Sequence, residues 1–179
     1  MKRLYIVRHC KADGQLPEAR LTAEGEEQAE ALADFLQHKG VERIVASPFL
    51  RAIQSVEPLG DRLALPIRAD ERLAERVLSS EVLPDWVDRL RESFDDLDAV
   101  LEGGESSRTA MARAVEAIRE IMDFPVDTTV VVSHGNLIAL MLRHFDDHTG
   151  FAEWQALTNP DVHLVTIAEG AARVERIWR

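Results

Sequence analysis

The sequence predicts an α/β protein: a three-layer α/β/α sandwich with a mostly parallel central sheet, helices on both faces and a small cap insertion. Three observations point there. Short apolar runs recur at residues 4–7, 44–46 and 130–132, each running into polar residues. Stretches with helical period lie between them, and strand alternating with helix is the pattern of a parallel sheet covered on both sides. Finally, 179 residues, 46% of them hydrophobic, are enough for one substantial core and fall within the size of one domain, so residues 1–179 are expected to fold as a single unit.

Taken in order, Leu4-Tyr5-Ile6-Val7 reads as a short buried strand. The helical period then runs from Thr22 to about Lys39, with Thr22 as N-cap and Gly40 as stop. Ile44-Val45-Ala46 is the second strand, and a helix is expected over 48–63, with Ser47 as N-cap and Pro48 at the first helical position. Residues 76–103 show no clear strand. Pro84 opens a helix there and an acid-rich stretch follows at 94–98, so this segment is expected to be a cap over the sheet. Helices are expected again over 107–122 and 136–144, flanking the strand at 130–132, with two last strands at 164–168 and 173–178.

Composition excludes several classes of function. Twenty-one Lys and Arg against 32 Asp and Glu give a net charge of −11, without a basic run that could neutralise a nucleic-acid backbone. No nucleic acid is expected as a partner. A small anionic ligand stays compatible with this charge, because salt screens exposed charges beyond about 8 Å and a few local arginines then set the field in a pocket. The apolar runs are far below the roughly 20 residues that cross a bilayer, so no membrane association is expected. The N-terminus shows no secretory pattern and there is one cysteine, which together suggest the cytoplasm and exclude an internal disulfide or a Cys-rich zinc site.

Ligands of open α/β sheets bind just beyond the carboxyl ends of the strands, and three motifs fall there. Arg8-His9-Cys10 follows the first strand, Ser47-Pro48-Phe49-Leu50-Arg51 the second, and Ser133-His134-Gly135-Asn136 a third. Each alone is common in ordinary turns and helix starts. Arg51, in the first turn of its helix, can reach an anion bound at the helix's positive end. The third motif is no nucleophile elbow, since no Gly-x-Ser-x-Gly occurs, and no Gly-x-x-x-x-Gly-Lys nucleotide loop is present.

In chain order these motifs, the second continuing through Ala52-Ile53-Gln54-Ser55, are joined by Leu21-Thr22-Ala23-Glu24-Gly25-Glu26-Glu27-Gln28-Ala29, Arg72-Leu73-Ala74-Glu75 and Gly103-Gly104-Glu105-Ser106. With them the sequence resembles the histidine phosphatase superfamily, also called phosphoglycerate mutase-like, over nearly its whole length. The resemblance implies that His9 attacks phosphorus, that Arg8, Arg51 and His134 hold the phosphoryl oxygens, and that Glu75 protonates the leaving alkoxide. No cofactor and no metal are implied. The residue types suit that chemistry: imidazole is neutral and nucleophilic near pH 7, phosphoryl transfer needs charge neutralised at the equatorial oxygens, and the guanidinium fork fits phosphate. A histidinium at His134 is expected to add to that charge. For Glu75 to act as an acid, burial or the neighbouring phosphate must raise its pKa.

The sequence departs from the family pattern near His9. Cys10 stands where glycine is usual, and Ala12 and Gln15 where many relatives have a small hydroxyl residue and asparagine. Gln15 can still donate to phosphate; Ala12 cannot. A cysteine phosphatase would need arginine six residues after its thiolate, and Leu16 is there, so Cys10 is expected to be a packed, silent thiol, with a redox-sensitive thiol as the other reading. Lys11 and Arg20 are read as surface residues rather than phosphate contacts. Within 76–103, Arg76, Arg89 and Arg91 face eight carboxylates, a net of −5, which favours a phosphatase over a mutase that must retain a bisphosphate. Leu83, Trp86 and Phe94 are candidates for the inner face of this segment, against an apolar leaving group, or for ordinary helix packing. His144 and His148, spaced i, i+4 beside Asp146-Asp147, lack a third ligand for zinc. The expected partner is a small-molecule phosphate monoester, and the expected assembly a monomer or homodimer. A phosphoglycerate mutase-type phosphotransferase and a non-catalytic phosphoester-binding protein are the alternatives.

Overall fold

The computed structural model describes residues 1–178. Its six strands are β1 (Lys2–Arg8), β2 (Arg43–Ala46), β3 (Ile67–Ala69), β4 (Thr128–Ser133), β5 (Asp161–Ala168) and β6 (Ala171–Arg176), and they form one sheet in the order β3-β2-β4-β1-β5-β6. Neighbours from β3 to β1 are parallel, whereas β5 and β6 join antiparallel, which makes the sheet mostly parallel as expected. The helices are α1 (Ala23–Leu36), α2 (Leu50–Gln54), α3 (Glu57–Leu63), α4 (Trp86–Asp95), α5 (Ser107–Asp123), α6 (Gly135–Phe145) and α7 (Phe151–Gln155).

The period-2 alternation of the strands builds the three layers. Leu4, Ile6, Val45, Val131 and Val165 face one core with the apolar stripes of α4, α5 and α6. Tyr5, Val7, Ile44, Ala46, Val130, Val132 and Val162 face the other, under α1, α2 and α3. Both faces of the central strands are therefore sealed, which is why the sequence shows continuous apolar runs there.

Thr22 caps α1 as expected, accepting from the Gly25 N–H at 3.0 Å, and Gly40 takes the left-handed conformation (φ 71°) after the helix ends. The helix expected over 48–63 is interrupted. Ser47 does not cap it: α2 starts at Leu50 with Phe49 at the cap position, and the chain breaks at Ser55 and Val56 before α3. Pro58, which has no N–H to donate, then falls in the first turn of α3. The strand expected at 164–168 begins earlier, at Asp161, and the last strand ends at Arg176, short of 178. Strand β3, a 3-10 turn at Glu71–Leu73 and α7 were not expected; each is five residues or fewer, too short to show a period.

Between the 3-10 turn and α5 the chain makes an excursion that carries α4, which starts at Trp86, two residues after Pro84. Its arms are laced by Ser80 N–H to Glu102 O and Glu105 N–H to Val77 O, both 2.9 Å. Leu90 and Phe94 anchor α4 in the core, and buried Arg76 bolts it down, donating to the Ser93 and Ser107 hydroxyls at 2.8 Å and to Glu105 O at 3.1 Å.

Candidate active site

Strands β2, β4 and β1 are neighbours, so the three motifs that follow them meet at one edge of the sheet. The backbone fixes their levels: Arg8 pairs with Ser133, the His9 N–H donates to Ser133 O at 3.1 Å, and the Ser47 N–H donates to Val132 O at 2.9 Å. Around this point Arg8, His9, Gln15, Arg51, Glu75 and His134 line one cavity of about 130 Å³.

His9 is 8% exposed, and its Nδ1 lies 2.7 Å from the Cys10 carbonyl. A carbonyl only accepts, so Nδ1 carries the ring proton and Nε2 keeps its lone pair. Arg51 Nε donates to that Nε2 at 3.3 Å, and the Asn159 amide holds the His9 carbonyl at 2.8 Å. Loss of hydration, with Arg51 and Arg8 nearby, lowers the His9 pKa to about 4.

Arg51 is 1% exposed, fastened by Leu16 O at 2.8 Å and lying over the Phe49 ring. Arg8 donates one Nη to Leu157 O at 2.9 Å, while its buried Nε has no partner among the described residues. His134 sits at the N-cap of α6 with Nε2 2.7 Å from Ser47 Oγ, and its Nδ1 is likewise unpartnered. The two imidazoles are 5.1 Å apart, centre to centre. Burial first, then His9 and the arginines, holds the His134 pKa well below the usual histidine value, so the histidinium expected there is a neutral ring.

Glu75 follows the 3-10 turn and reaches the N-terminus of α6. Its carboxylate accepts from Asn136 N at 3.0 Å, Leu137 N at 2.9 Å and Arg76 N at 2.8 Å. These donors favour the ionised form, yet loss of hydration outweighs them and the pKa is raised. Cys10 is fully buried among Tyr5 and Val7, and burial pushes its thiol up to about 11, which fits the silent reading.

Lys11 lies at the cavity edge, exposed as the sequence suggested, and its ammonium pairs with Glu24. Phe94 packs in the core, and neither it nor Leu83 lines the second cavity, of about 450 Å³, that opens beside the first. That cavity is walled by Trp86 together with Leu78, Leu90 and Trp154. His148 stands in the turn after α6, where its N–H caps Asp146 at 3.1 Å, and no group of three His, Cys, Asp or Glu side chains gathers around a metal position among the described residues. The sequence reading missed Asn159 and Trp154, and gave no role to Ser55. Ser55 Oγ accepts the Cys10 N–H at 2.8 Å and donates to Arg51 O at 2.6 Å, tying the β1 loop to the Arg51 helix. No motif marks Asn159 or Trp154, which reach the site through tertiary contacts.

The chain is 30% identical over 169 residues to glucosyl-3-phosphoglycerate phosphatase of Mycobacterium tuberculosis, covering 78% of this chain and 73% of the relative. It is also 38% identical over 73 residues to phosphohistidine phosphatase SixA of Escherichia coli, covering 38% of this chain and 45% of that protein. The structure of a mycobacterial glucosyl-3-phosphoglycerate phosphatase complexed with VO3 superimposes with a TM-score of 0.81 at 28% identity, over 98% of both chains. The model of the histidine phosphatase superfamily, branch 1, matches residues 4–178. On motif order, site geometry and these likenesses together, the chain belongs to the histidine phosphatase superfamily.

Proposed function

We propose that the chain is a metal-independent phosphatase that hydrolyses small-molecule phosphate monoesters through a phosphohistidine on His9. The observation that carries this reading is the hydrogen bond from His9 Nδ1 to the Cys10 carbonyl, which leaves the lone pair on Nε2 in the cavity shared with Arg8, Arg51 and His134, where a bound phosphoryl group would replace the 3.3 Å contact from Arg51 Nε. In the first step Nε2 attacks phosphorus, the P–O ester bond breaks, and the Glu75 carboxyl gives its proton to the departing alkoxide. In the second step Glu75, now a carboxylate, takes a proton from water as that water attacks phosphorus; the N–P bond breaks and inorganic phosphate leaves. Arg8, Arg51 and Gln15 donate to the non-bridging oxygens, as does His134, whose neutral ring gains a proton more readily beside a dianion.

A mutase finds less support. Of the three arginines in the excursion only Arg76 lines the neighbouring cavity; Arg89 pairs with Asp85 and Glu92, and Arg91 pairs with Asp88 and lies over the Phe151 ring of α7. Every side chain in the scheme comes from one chain, so it holds for a monomer or for a homodimer. The reading of residues 76–103 as a cap and of the cytoplasm as compartment goes with this proposal; no helix among the described residues is long and apolar enough to cross a membrane. The test is phosphate release from p-nitrophenyl phosphate by the wild type and its absence in His9→Ala, with label from a [32P]-ester recovered on the protein after an alkaline quench. Turnover that survives in His9→Ala would refute the nucleophile assignment.

A further inference from the structure

The 450 Å³ cavity shares Arg8, Gln15, Glu75 and Gly135 with the phosphate-sized one, so it can hold only what the phosphate is attached to. Its far wall is aromatic. Trp86, the first residue of α4, meets Trp154 of α7 edge to face with centroids 6.1 Å apart. Trp154 is fixed from behind by Phe151 at 5.2 Å, which in turn meets buried Phe94 at 6.4 Å. Trp86 has no such backing and remains 48% exposed, an indole face open at the mouth of a catalytic cleft. Leu78 and Leu90 complete the apolar side.

The polar side carries one guanidinium outside the phosphate pocket. Arg8 belongs to that pocket; Arg76 donates Nε and Nη1 to Glu105 O and two serine hydroxyls, neutral partners that leave its positive charge in place, and Glu75 is the proton donor of the proposed first step. A flat apolar ring would cover two indoles and two leucines, which a methyl group would leave in water.

Building on the phosphatase reading, we infer that this chamber selects phosphate monoesters whose leaving group carries an aromatic ring, with Trp86 and Trp154 as specificity-determining residues. Aromatic pairs prefer offset or edge contacts at the centroid spacing seen here, and a third ring extends the same packing. Trp86 supplies the exposed face and Trp154 the packed one.

The test compares 2-naphthyl phosphate with phenyl phosphate, whose leaving alcohols have nearly the same acidity, and with glucose 6-phosphate and methyl phosphate. The wild type is expected to favour naphthyl over phenyl by about tenfold in kcat/KM. Trp86→Ala and Trp154→Ala should each erase most of that preference and leave methyl phosphate hydrolysis within about twofold, while Trp86→Phe restores it. Equal kcat/KM for the two aryl esters, a preference that persists in both alanine variants, or glucose 6-phosphate as the better substrate would each overturn the inference. If no ester releases phosphate, the phosphatase reading falls, and calorimetry of the two aryl phosphates on His9→Ala decides the ring site separately: tighter naphthyl binding sustains it and equal affinity overturns it.

Discussion

Two titrating side chains set the pH range in which the proposed chemistry runs. His9 must be neutral to attack; its pKa is lowered to about 4, so the nucleophile is lost only as pH falls through that value. Glu75 must be protonated to act first as an acid, and its pKa is raised above the ordinary carboxylate range, so acid catalysis is lost as pH rises through the raised value. A bell-shaped kcat/KM profile follows, rising through about 4 and falling through the raised Glu75 value. In Glu75→Gln the falling limb due to this group should vanish and kcat should drop by roughly 10²–10⁴-fold for alkyl esters, whose leaving group needs the proton. The substrate's own phosphate ionisation appears equally with both enzymes, so the difference between their profiles isolates Glu75; an unchanged falling limb would show that another group is the acid. Cys10 separates from this pair. Fully buried with a thiol near 11, it should resist iodoacetamide in the folded protein at pH 7.5, and Cys10→Ala should keep kcat/KM within about twofold while costing about 1 kcal/mol in packing. Its position one residue after His9 is what invited a rival mechanism, and sequence alone does not show that the side chain turns into the core with Tyr5 and Val7.

At the scale of elements, the site depends on helix N-termini placed against the β1 loop, and two glycines show how closely. A Cβ added to Gly25 in α1 would lie 2.0 Å from the Lys11 carbonyl, a backbone atom that cannot yield without moving the loop after His9. Gly25→Ala should therefore cost about 3 kcal/mol or more in urea unfolding. Gly135 is gentler and more informative. Its Cβ would sit 3.2 Å from three atoms of the Arg8 guanidinium, so Arg8 must shift by tenths of an ångström, while alanine favours the first turn of α6 by up to about 1 kcal/mol. Gly135→Ala should leave the unfolding midpoint unchanged or raised and still lower kcat/KM roughly tenfold, since phosphoryl transfer tolerates little misplacement of its oxygen ligands. Loss of stability with activity intact would contradict the contact. Both glycines stand in motifs visible in the sequence, as does the Thr22 cap. The break between α2 and α3 was overridden by the apolar period that runs through 48–63, although Pro58, which has no N–H to give the Gln54 carbonyl, stands just after it; the Ser55 hydroxyl, bridging Cys10 N and Arg51 O, lies at the break.

For the molecule as a whole, the sequence revealed the strands that end in the site and not the order in which they lie. Residues 4–7, 44–46 and 130–132 are legible because both faces are buried, but their adjacency as β2-β4-β1 is a long-range pairing that no local pattern encodes. Trp154 and Asn159 are hidden for the same reason: α7 and the turn before β5 meet the His9 loop only after β5 has paired antiparallel with β1. Burying the site in this way also links global stability to pH. His9 and His134 are both held neutral by loss of hydration, so the unfolded chain takes up protons more readily than the folded one between their unfolded and folded pKa values. Depressed folded values mean that stability is fully present above about 6.5 and declines as pH falls toward about 4. For His9 alone, the change between pH 7 and pH 5 amounts to about 2 kcal/mol. Glu75, raised in the fold, acts with the opposite sign between its unfolded and its raised folded value and offsets part of the decline. Unfolding free energies from urea titrations should therefore fall between pH 7 and pH 5 in the wild type, and fall by about 2 kcal/mol less in His9→Asn, which keeps a polar side chain without a titrating ring. An identical decline in both proteins would mean that His9 is hydrated in solution, and the neutral nucleophile would lose its basis along with the stability argument.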